Sequence, residues 1–356
     1  MKILVINCGS SSIKYKFFKI KKRLDEEILN SGIIEHIGEK DSLIKNHYIG
    51  LKIILERINI PIDGVGHRVV HGGEEFKKPV IITERVIRAI KNYSRFAPLH
   101  NPKNLAGILA VKRLLPQVKQ VAVFDTAFHQ TIPQYAYMYG LPYRYYESYG
   151  IRRYGFHGTS HAYVVAEAAR LLKKPLSKLK LISCHLGNGC SITAVKYGKS
   201  IDTSMGFTPL EGLVMGTRCG DIDPALIPYI MQKEKISFLQ IDEILNKESG
   251  LKGISGLSND MRIIFKESKK GNFLAKLAID VFIYRIKKYI SAYIGILKGA
   301  DAVIFTAGIG QNQPEIVRMI CKDLFLHLNK RPKILIIPTD EELMIARQTY
   351  ELLKKS

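Results

Sequence analysis

Cysteine is scarce in this chain, and its five cysteines (Cys8, Cys184, Cys190, Cys219 and Cys321) form neither a C-x-x-C pair nor a zinc pattern with histidine. That spacing argues against a disulfide framework or a zinc module and points to a reduced, cytoplasmic protein. Cys8, Cys184 and Cys190 fall inside or beside apolar runs, where a free thiol acts as a small apolar filler. The common nucleotide and hydrolase signatures are missing as well. Gly198-Lys199-Ser200 lacks the upstream glycine of a P-loop because the position it needs is Thr193, and Gly308-Ile309-Gly310 has no third glycine at the dinucleotide spacing. Neither H-E-x-x-H nor G-x-S-x-G occurs. No long uninterrupted apolar run is present: Phe273–Leu297 is broken by Lys276, Asp280, Arg285, Lys287 and Lys288. Its Leu274, Leu277, Val281, Ile286, Tyr289, Tyr293 and Leu297 recur at helical spacing, which predicts a long amphipathic helix on a core rather than a membrane span. Met1-Lys2 leads straight into a strand, so no signal peptide is expected.

Acidic residues are in deficit: 54 Lys and Arg against 32 Asp and Glu give a net charge of +22. The basic residues are scattered and not interleaved with aromatics, so they read as a solvated surface rather than a nucleic-acid face. The excess is compatible with small anionic substrates. A length of 356 residues with 46% hydrophobic content suggests about two domains with real cores.

What is present is a hairpin. Ile3–Ile6 reads as a buried strand that ends in Asn7-Cys8-Gly9-Ser10-Ser11-Ser12 and resumes at Ile13-Lys14-Tyr15-Lys16-Phe17-Phe18. A Gly/Ser tip offers backbone N–H groups and hydroxyls to a phosphate, with Lys14 just beyond it. Residues 181–195 repeat the scheme: an apolar strand, the turn His185-Leu186-Gly187-Asn188-Gly189, and a second strand. Two such loops half a chain apart predict two related domains, each bringing a phosphate loop. Further strands are expected at 64–70, 120–125, 302–306 and 334–337, with helices at 83–93, from Asn101-Pro102 onward, at 273–298 and from Glu341 onward. This mixture is α/β. The expected domains are residues 1–150, with the 341–356 helix packing back on them, and residues 151–340.

Several blocks carry a closer likeness: Gly66-His67-Arg68-Val69-Val70-His71-Gly72-Gly73, Pro98-Leu99-His100-Asn101-Pro102, Phe124-Asp125-Thr126-Ala127-Phe128-His129-Gln130, Gly155-Phe156-His157-Gly158-Thr159-Ser160-His161 and Met215-Gly216-Thr217-Arg218-Cys219-Gly220. With the Asn7–Ser12 loop they resemble the acetokinase (acetate kinase) family of the actin/Hsp70/sugar-kinase superfamily, in the family's order and over nearly the whole chain. The resemblance implies two duplicated actin-like, ribonuclease H-like α/β domains with an ATP cleft between them. It implies reversible Mg2+-dependent phosphorylation of acetate by ATP, with Mn2+ as an alternative ion, in a homodimer that uses neither nucleic acid nor membrane.

The resemblance also implies roles. Arg68 and Arg218 would bind acetate and the transferring phosphoryl group, where planar donors suit both. His157 would stabilise the transition state by a hydrogen bond, and His100 would orient. Asp125 matches the family's active-site acid; acetate is already an anion and needs no base, so orienting Arg or Mg2+ is favoured over a nucleophilic role. Asn7 and Glu341 match the metal positions. Ser10, Ser12, Lys14, His185, Leu186, Gly187, Asn188, Gly189, Asp260, Met261, Arg262, Gly308, Ile309, Gly310, Gln311 and Asn312 match the ATP contacts. Val70, Leu99, Phe156 and Pro209 match a small apolar pocket for the acetate methyl group.

The chain departs from the family in two ways. Position 311 is Gln where the family usually has Glu, and the stretches near 38–60 and 323–333 are compact. Propionate kinase activity stays open, because one methylene is worth only ~1–3 kcal/mol of discrimination. A non-catalytic actin-like assembly protein is the alternative from another class.

Overall fold

The structure is a computed structural model that describes residues 1–22 and 25–355. Strands β1 (Lys2–Cys8), β2 (Ile13–Lys22), β3 (Asp25–Ile34), β4 (Gly64–Val69), β5 (Val80–Ile81) and β6 (Gln120–Phe124) form a first sheet in the order β3-β2-β1-β4-β6-β5. The β1–β2 and β2–β3 pairs are antiparallel, whereas β1, β4 and β6 run parallel. Strands β7 (Lys180–Leu186), β8 (Cys190–Lys196), β9 (Lys199–Thr203), β10 (Ala302–Thr306) and β11 (Lys333–Ile336) form a second sheet in the order β11-β10-β7-β8-β9. Here too the first strand pairs antiparallel with its hairpin partner and parallel with a later strand. Without β5, the two sheets have the same order and the same strand directions. The echo in the sequence is therefore a repeat of topology.

Contacts divide the chain into two units, one of Met1–Gln130, Gly158–Tyr163 and Asp340–Ser356, the other of Thr131–His157 and Val164–Thr339. This differs from a single boundary at residue 150. Residues 131–149 lie with the second unit, where Tyr139 bonds to Glu211 and to the Phe207 N–H.

In the first unit the run Ile3-Leu4-Val5-Ile6 is apolar throughout because both faces of β1 are covered. Leu4, Ile6 and Cys8 face a cluster with Leu51, Ile54 and Val111. Ile3 and Val5 face the helix Glu341–Leu353 through Ile345, Ala346, Tyr350 and Leu353. That helix lies tight on β4: a Cβ on Gly66 would meet Thr349 Oγ1 at 2.5 Å and Ile345 Cγ2 at 2.8 Å. A side chain there would push the helix off the sheet.

In the second unit the long helix forms over Phe273–Leu297, capped by the Asn272 side chain on the Ala275 N–H. Its buried stripe runs through Ala275, Ala278, Phe282, Ile286, Ile290, Tyr293 and Leu297. Leu274 and Leu277, read from the sequence as part of that stripe, are 47% and 38% exposed. The small alanines one position away are what allow close packing. Among the described residues no helix is long and apolar enough to cross a membrane.

Candidate active site

In the first unit, charged groups collect where β1, β4 and β6 end and the helix Glu341–Leu353 begins. Arg68, on β4, ion-pairs with Asp125 just past β6, lies 3.7 Å from Glu341 through Nε, and reaches Asn7 Oδ1 at 3.5 Å. Asp125 is almost wholly buried, and its other oxygen accepts from Thr159 Oγ1 at 2.8 Å. Both carboxylate oxygens are therefore engaged. Burial first, then the nearby Asp125 and Glu342 charges, push the Glu341 carboxyl up to about 7, although Arg68 and Lys14 oppose the shift. Burial also acts on Glu342, but Lys14 at 2.8 Å and Lys16 at 3.6 Å overcome it and hold that carboxyl below its ordinary value. Lys16 also bonds both oxygens of Asp340 at 2.9 Å, and Asp340 caps the helix through the Leu343 N–H.

This donor set fits a hard divalent cation. A carboxyl raised by burial and like charges is relieved by added positive charge, and Asn7, Glu341 and Asp125 offer oxygen donors. No group of three or more His, Cys, Asp or Glu able to hold a metal occurs among the described residues. A cation here would share its ligands with water and phosphate.

In the second unit the β7–β8 turn is closed by Gly187 N–H donating to the Gly189 carbonyl at 3.1 Å. Gly189 has two functional groups beside it. A Cβ built there would lie 3.4 Å from both His157 Nε2 and Arg218 Nη1. His157 has a left-handed backbone at φ 57°, its ring stacks on His185 at 4.1 Å, and its Nδ1 lies 2.9 Å from Ser191 Oγ. A non-glycine residue held in that conformation is a mark of functional sites. Arg218 donates to the Pro209 carbonyl at 3.2 Å and approaches Met215 Sδ at 3.6 Å. Among the described residues no carboxylate pairs with it, and burial lowers its pKa. The second unit thus holds a half-buried guanidinium with no carboxylate partner among the described residues.

A cavity of 520 Å³ opens beside the same turn, lined by Gly187, Asn188, Asn259, Asp260, Met261, Arg262, Gly308, Ile309, Asn312 and Gln313. Its size suits a nucleotide-sized ligand. Asn259 Nδ2 donates to Asn188 Oδ1 at 3.0 Å. Asp260 caps the helix Met261–Lys269 and holds the Arg262 side chain through Nε at 3.0 Å and 3.1 Å. Arg262 is therefore committed to Asp260 in this structure.

Comparison with known proteins decides the family, because a model described as the Acetokinase family matches residues 2–328. The chain belongs to the acetokinase family. The curated acetate kinase of Halothermothrix orenii is 49% identical over 400 aligned positions, covering 99% of this chain and 100% of that relative. The crystal structure of Porphyromonas gingivalis acetate kinase is similar with a TM-score of 0.91 at 40% identity, covering 99% of both chains. A propionate kinase from Francisella tularensis also gives 0.91 at 40% identity, covering 98% of this chain and 99% of that one. The alignment with the Halothermothrix orenii relative is longer than this chain's 356 residues, so it opens gaps in this chain. The fold is the α/β actin-like plan of these family structures.

The family residues distribute unevenly. Asn7, Lys14, Arg68, Asp125 and Glu341 stand together in the first unit, but Lys14 is taken up by Glu342. Ser10 is exposed and Ser12 half-buried, and the Ser12 carbonyl closes the hairpin turn on the Gly9 N–H at 2.8 Å. His100 is exposed at the start of the helix Asn101–Leu114, where its carbonyl, rather than the side chain of Asn101, serves the first turn. Val70 is buried, its N–H held by Asn104 Oδ1 at 3.1 Å, whereas Leu99 is 72% exposed. In the second unit Phe156 is buried and Pro209 half-buried. His185 and Leu186 end β7 and Gly189 sits in the β7–β8 turn, but none of them lines the cavity, and neither do Gly310 and Gln311. Gly310 lies against Phe305, and Gln311 Nε2 lies 3.4 Å from Thr306 Oγ1. Sequence reasoning missed Lys16, Thr159, Ser191, Asn259, Gln313, Asp340 and Glu342. The consecutive acids at 340–342 were the one visible signal for any of them.

Proposed function

We propose that the chain is an acetate kinase that moves the γ-phosphoryl group of ATP to acetate, giving acetyl phosphate and ADP, with Mg2+. The observation that carries this reading is Arg218, a half-buried guanidinium beside His157 with no carboxylate among its described partners. It leaves a planar bidentate donor for an anion. An acetate oxygen attacks the γ-phosphorus as the bond to the ADP oxygen breaks, so an already ionised acceptor needs positioning and charge neutralisation rather than a base. Arg218 neutralises the transferring group. In the tautomer whose Nδ1 accepts from the Ser191 hydroxyl 2.9 Å away, His157 presents Nε2–H to a phosphoryl oxygen. Asp125, both oxygens engaged, orients Arg68 rather than acting as a nucleophile. Asn7 and Glu341 would hold the cation, which supplies charge neutralisation on the phosphates when bound. The 520 Å³ cavity takes the nucleoside, with Asn188, Asp260 and Gly308 on its wall.

The same reading takes the enzyme as a cytoplasmic homodimer without nucleic-acid partners, in keeping with free cysteines and scattered basic residues. Propionate is the second reading, favoured by the equal likeness to a propionate kinase structure. A coupled assay of kcat/KM for acetate, propionate and butyrate tests both. Acetate is expected to lead. A clear preference for the longer acids would establish the second reading, and no phosphorylation of any of the three would refute the proposal.

A further inference from the structure

The groups around Gly189 hang from one segment of the second unit, residues 203–211. The Pro209 carbonyl accepts from Arg218 Nη1 at 3.2 Å. The Gly206 carbonyl accepts from the N–H groups of Tyr154 at 3.0 Å and Gly155 at 3.2 Å, just before Phe156 and His157. Whatever fixes 203–211 therefore fixes both Arg218 and the approach to His157.

Three side chains, Tyr139, Arg153 and Glu211, do this. Arg153 Nη1 reaches the carbonyls of Thr203 at 3.0 Å, Ser204 at 3.0 Å and Met205 at 3.2 Å. Its Nη2 bonds Glu211 Oε1 at 2.5 Å. The other Glu211 oxygen accepts from Tyr139 Oη, which itself accepts from the Phe207 N–H at 2.8 Å. Gly206 is where the backbone passes under this pair: a Cβ there would lie 2.2 Å from Tyr139 Oη and closer still to Glu211. Burial opposes the Arg153 charge, but Glu211 outweighs it and raises the guanidinium above its ordinary value. Burial first, then Glu211, raises the Tyr139 phenol, so it stays a donor.

We propose that Tyr139, Arg153 and Glu211 are positioning residues for phosphoryl transfer, a clamp that sets Arg218 through Pro209 and His157 through Gly206. This rests on the phosphoryl-transfer reading of the site. The clamp touches neither the nucleotide cavity nor the reacting atoms, so its loss bears on kcat rather than on ATP binding. A misplacement of about 1 Å at the reacting groups costs on the order of 100-fold.

The test is a double-mutant cycle with Tyr139→Phe and Arg218→Ala, with Arg153→Lys as a second, charge-preserving variant. Tyr139→Phe is expected to lower kcat about 10- to 100-fold, leave KM for ATP within about twofold, and cost clearly less in the Arg218→Ala background, where only the His157 arm of the clamp is left to lose. Arg153→Lys keeps the charge but not the fork of donors, and is expected to lose kcat to a similar degree. Unchanged kcat in both single variants, or full additivity with Arg218→Ala, would overturn the proposal. A crystal structure of Tyr139→Phe gives a readout that survives failure of the acetate kinase reading. The Arg218–Pro209 bond is expected to lengthen beyond hydrogen-bonding range, and its retention at 3.2 Å would count as refutation.

Discussion

Arg68 and Arg218 are both expected to be essential for turnover, yet their removal has unequal consequences for stability. Arg68 ion-pairs with the buried Asp125, and it stands 3.7 Å from Glu341 as well. Arg68→Ala leaves Asp125 with Thr159 as its remaining side-chain donor. Stranding one partner of a buried pair costs roughly 3–5 kcal/mol. At about 2–4 °C per kcal/mol for a unit of this size, the thermal midpoint of the first unit falls by roughly 6–20 °C. Arg218→Ala strands no carboxylate; it removes a bond to a carbonyl worth about 1 kcal/mol and relieves a charge that burial already disfavours. Its midpoint is expected within about 3 °C of wild type. Differential scanning calorimetry with a chelator present measures both, and a coupled assay should show each variant down by several orders of magnitude in kcat. The Arg68→Ala, Asp125→Asn double variant should recover most of the lost stability, since the stranded charge goes with its partner. Equal midpoint losses in the two arginine variants, or no recovery in the double variant, would refute the ion-pair argument.

Two further outcomes are expected. The folded-state pKa of Glu341, about 7, lies above its ordinary 4.5, so the fold binds that proton more tightly than the unfolded chain does. The stability it contributes is therefore present below pH 4.5 and lost as pH rises through about 7, amounting to roughly 3 kcal/mol at 1.36 kcal/mol per pH unit. In chelator, wild type should lose midpoint between pH 5 and 8.5 and Glu341→Gln should not; parallel profiles for the two would refute this. Gly66→Ala should lower the midpoint of the first unit by an amount equivalent to about 1–3 kcal/mol, through collision with Thr349 and Ile345. An unchanged midpoint would show that the helix Glu341–Leu353 can move aside.

Local chemistry was legible in the sequence wherever it lay within a few residues. The Gly9–Ser12 and Gly187–Gly189 turns stand between apolar runs, so their hairpins could be read directly, and the shared strand order of the two sheets follows from them. The helix expected over 83–93 forms over Glu84–Asn92, with the Thr83 side chain as its cap. Interactions between distant segments were not legible. Lys14 looks like a phosphate-binding cation in sequence, but the fold sets it against Glu342, more than 300 residues away. The helix at 273–297 was found but misphased, because its buried stripe uses alanines and leaves Leu274 and Leu277 outside. Leu99 looks apolar enough for a pocket, yet the turn ahead of the helix Asn101–Leu114 exposes it.

The helix Glu341–Leu353 also bears on the timing of folding. One face of the first sheet, including Ile3, Val5, Phe18 and Val121, is covered by residues 345–353. A ribosome makes about 5–20 residues per second, so that face waits tens of seconds for its cover. The long stretch Val164–Thr339, by contrast, needs nothing beyond itself and Thr131–His157 to assemble its unit. The unit that begins the chain is therefore the last to close, and meanwhile an apolar sheet face stands open to chaperones or to another nascent copy.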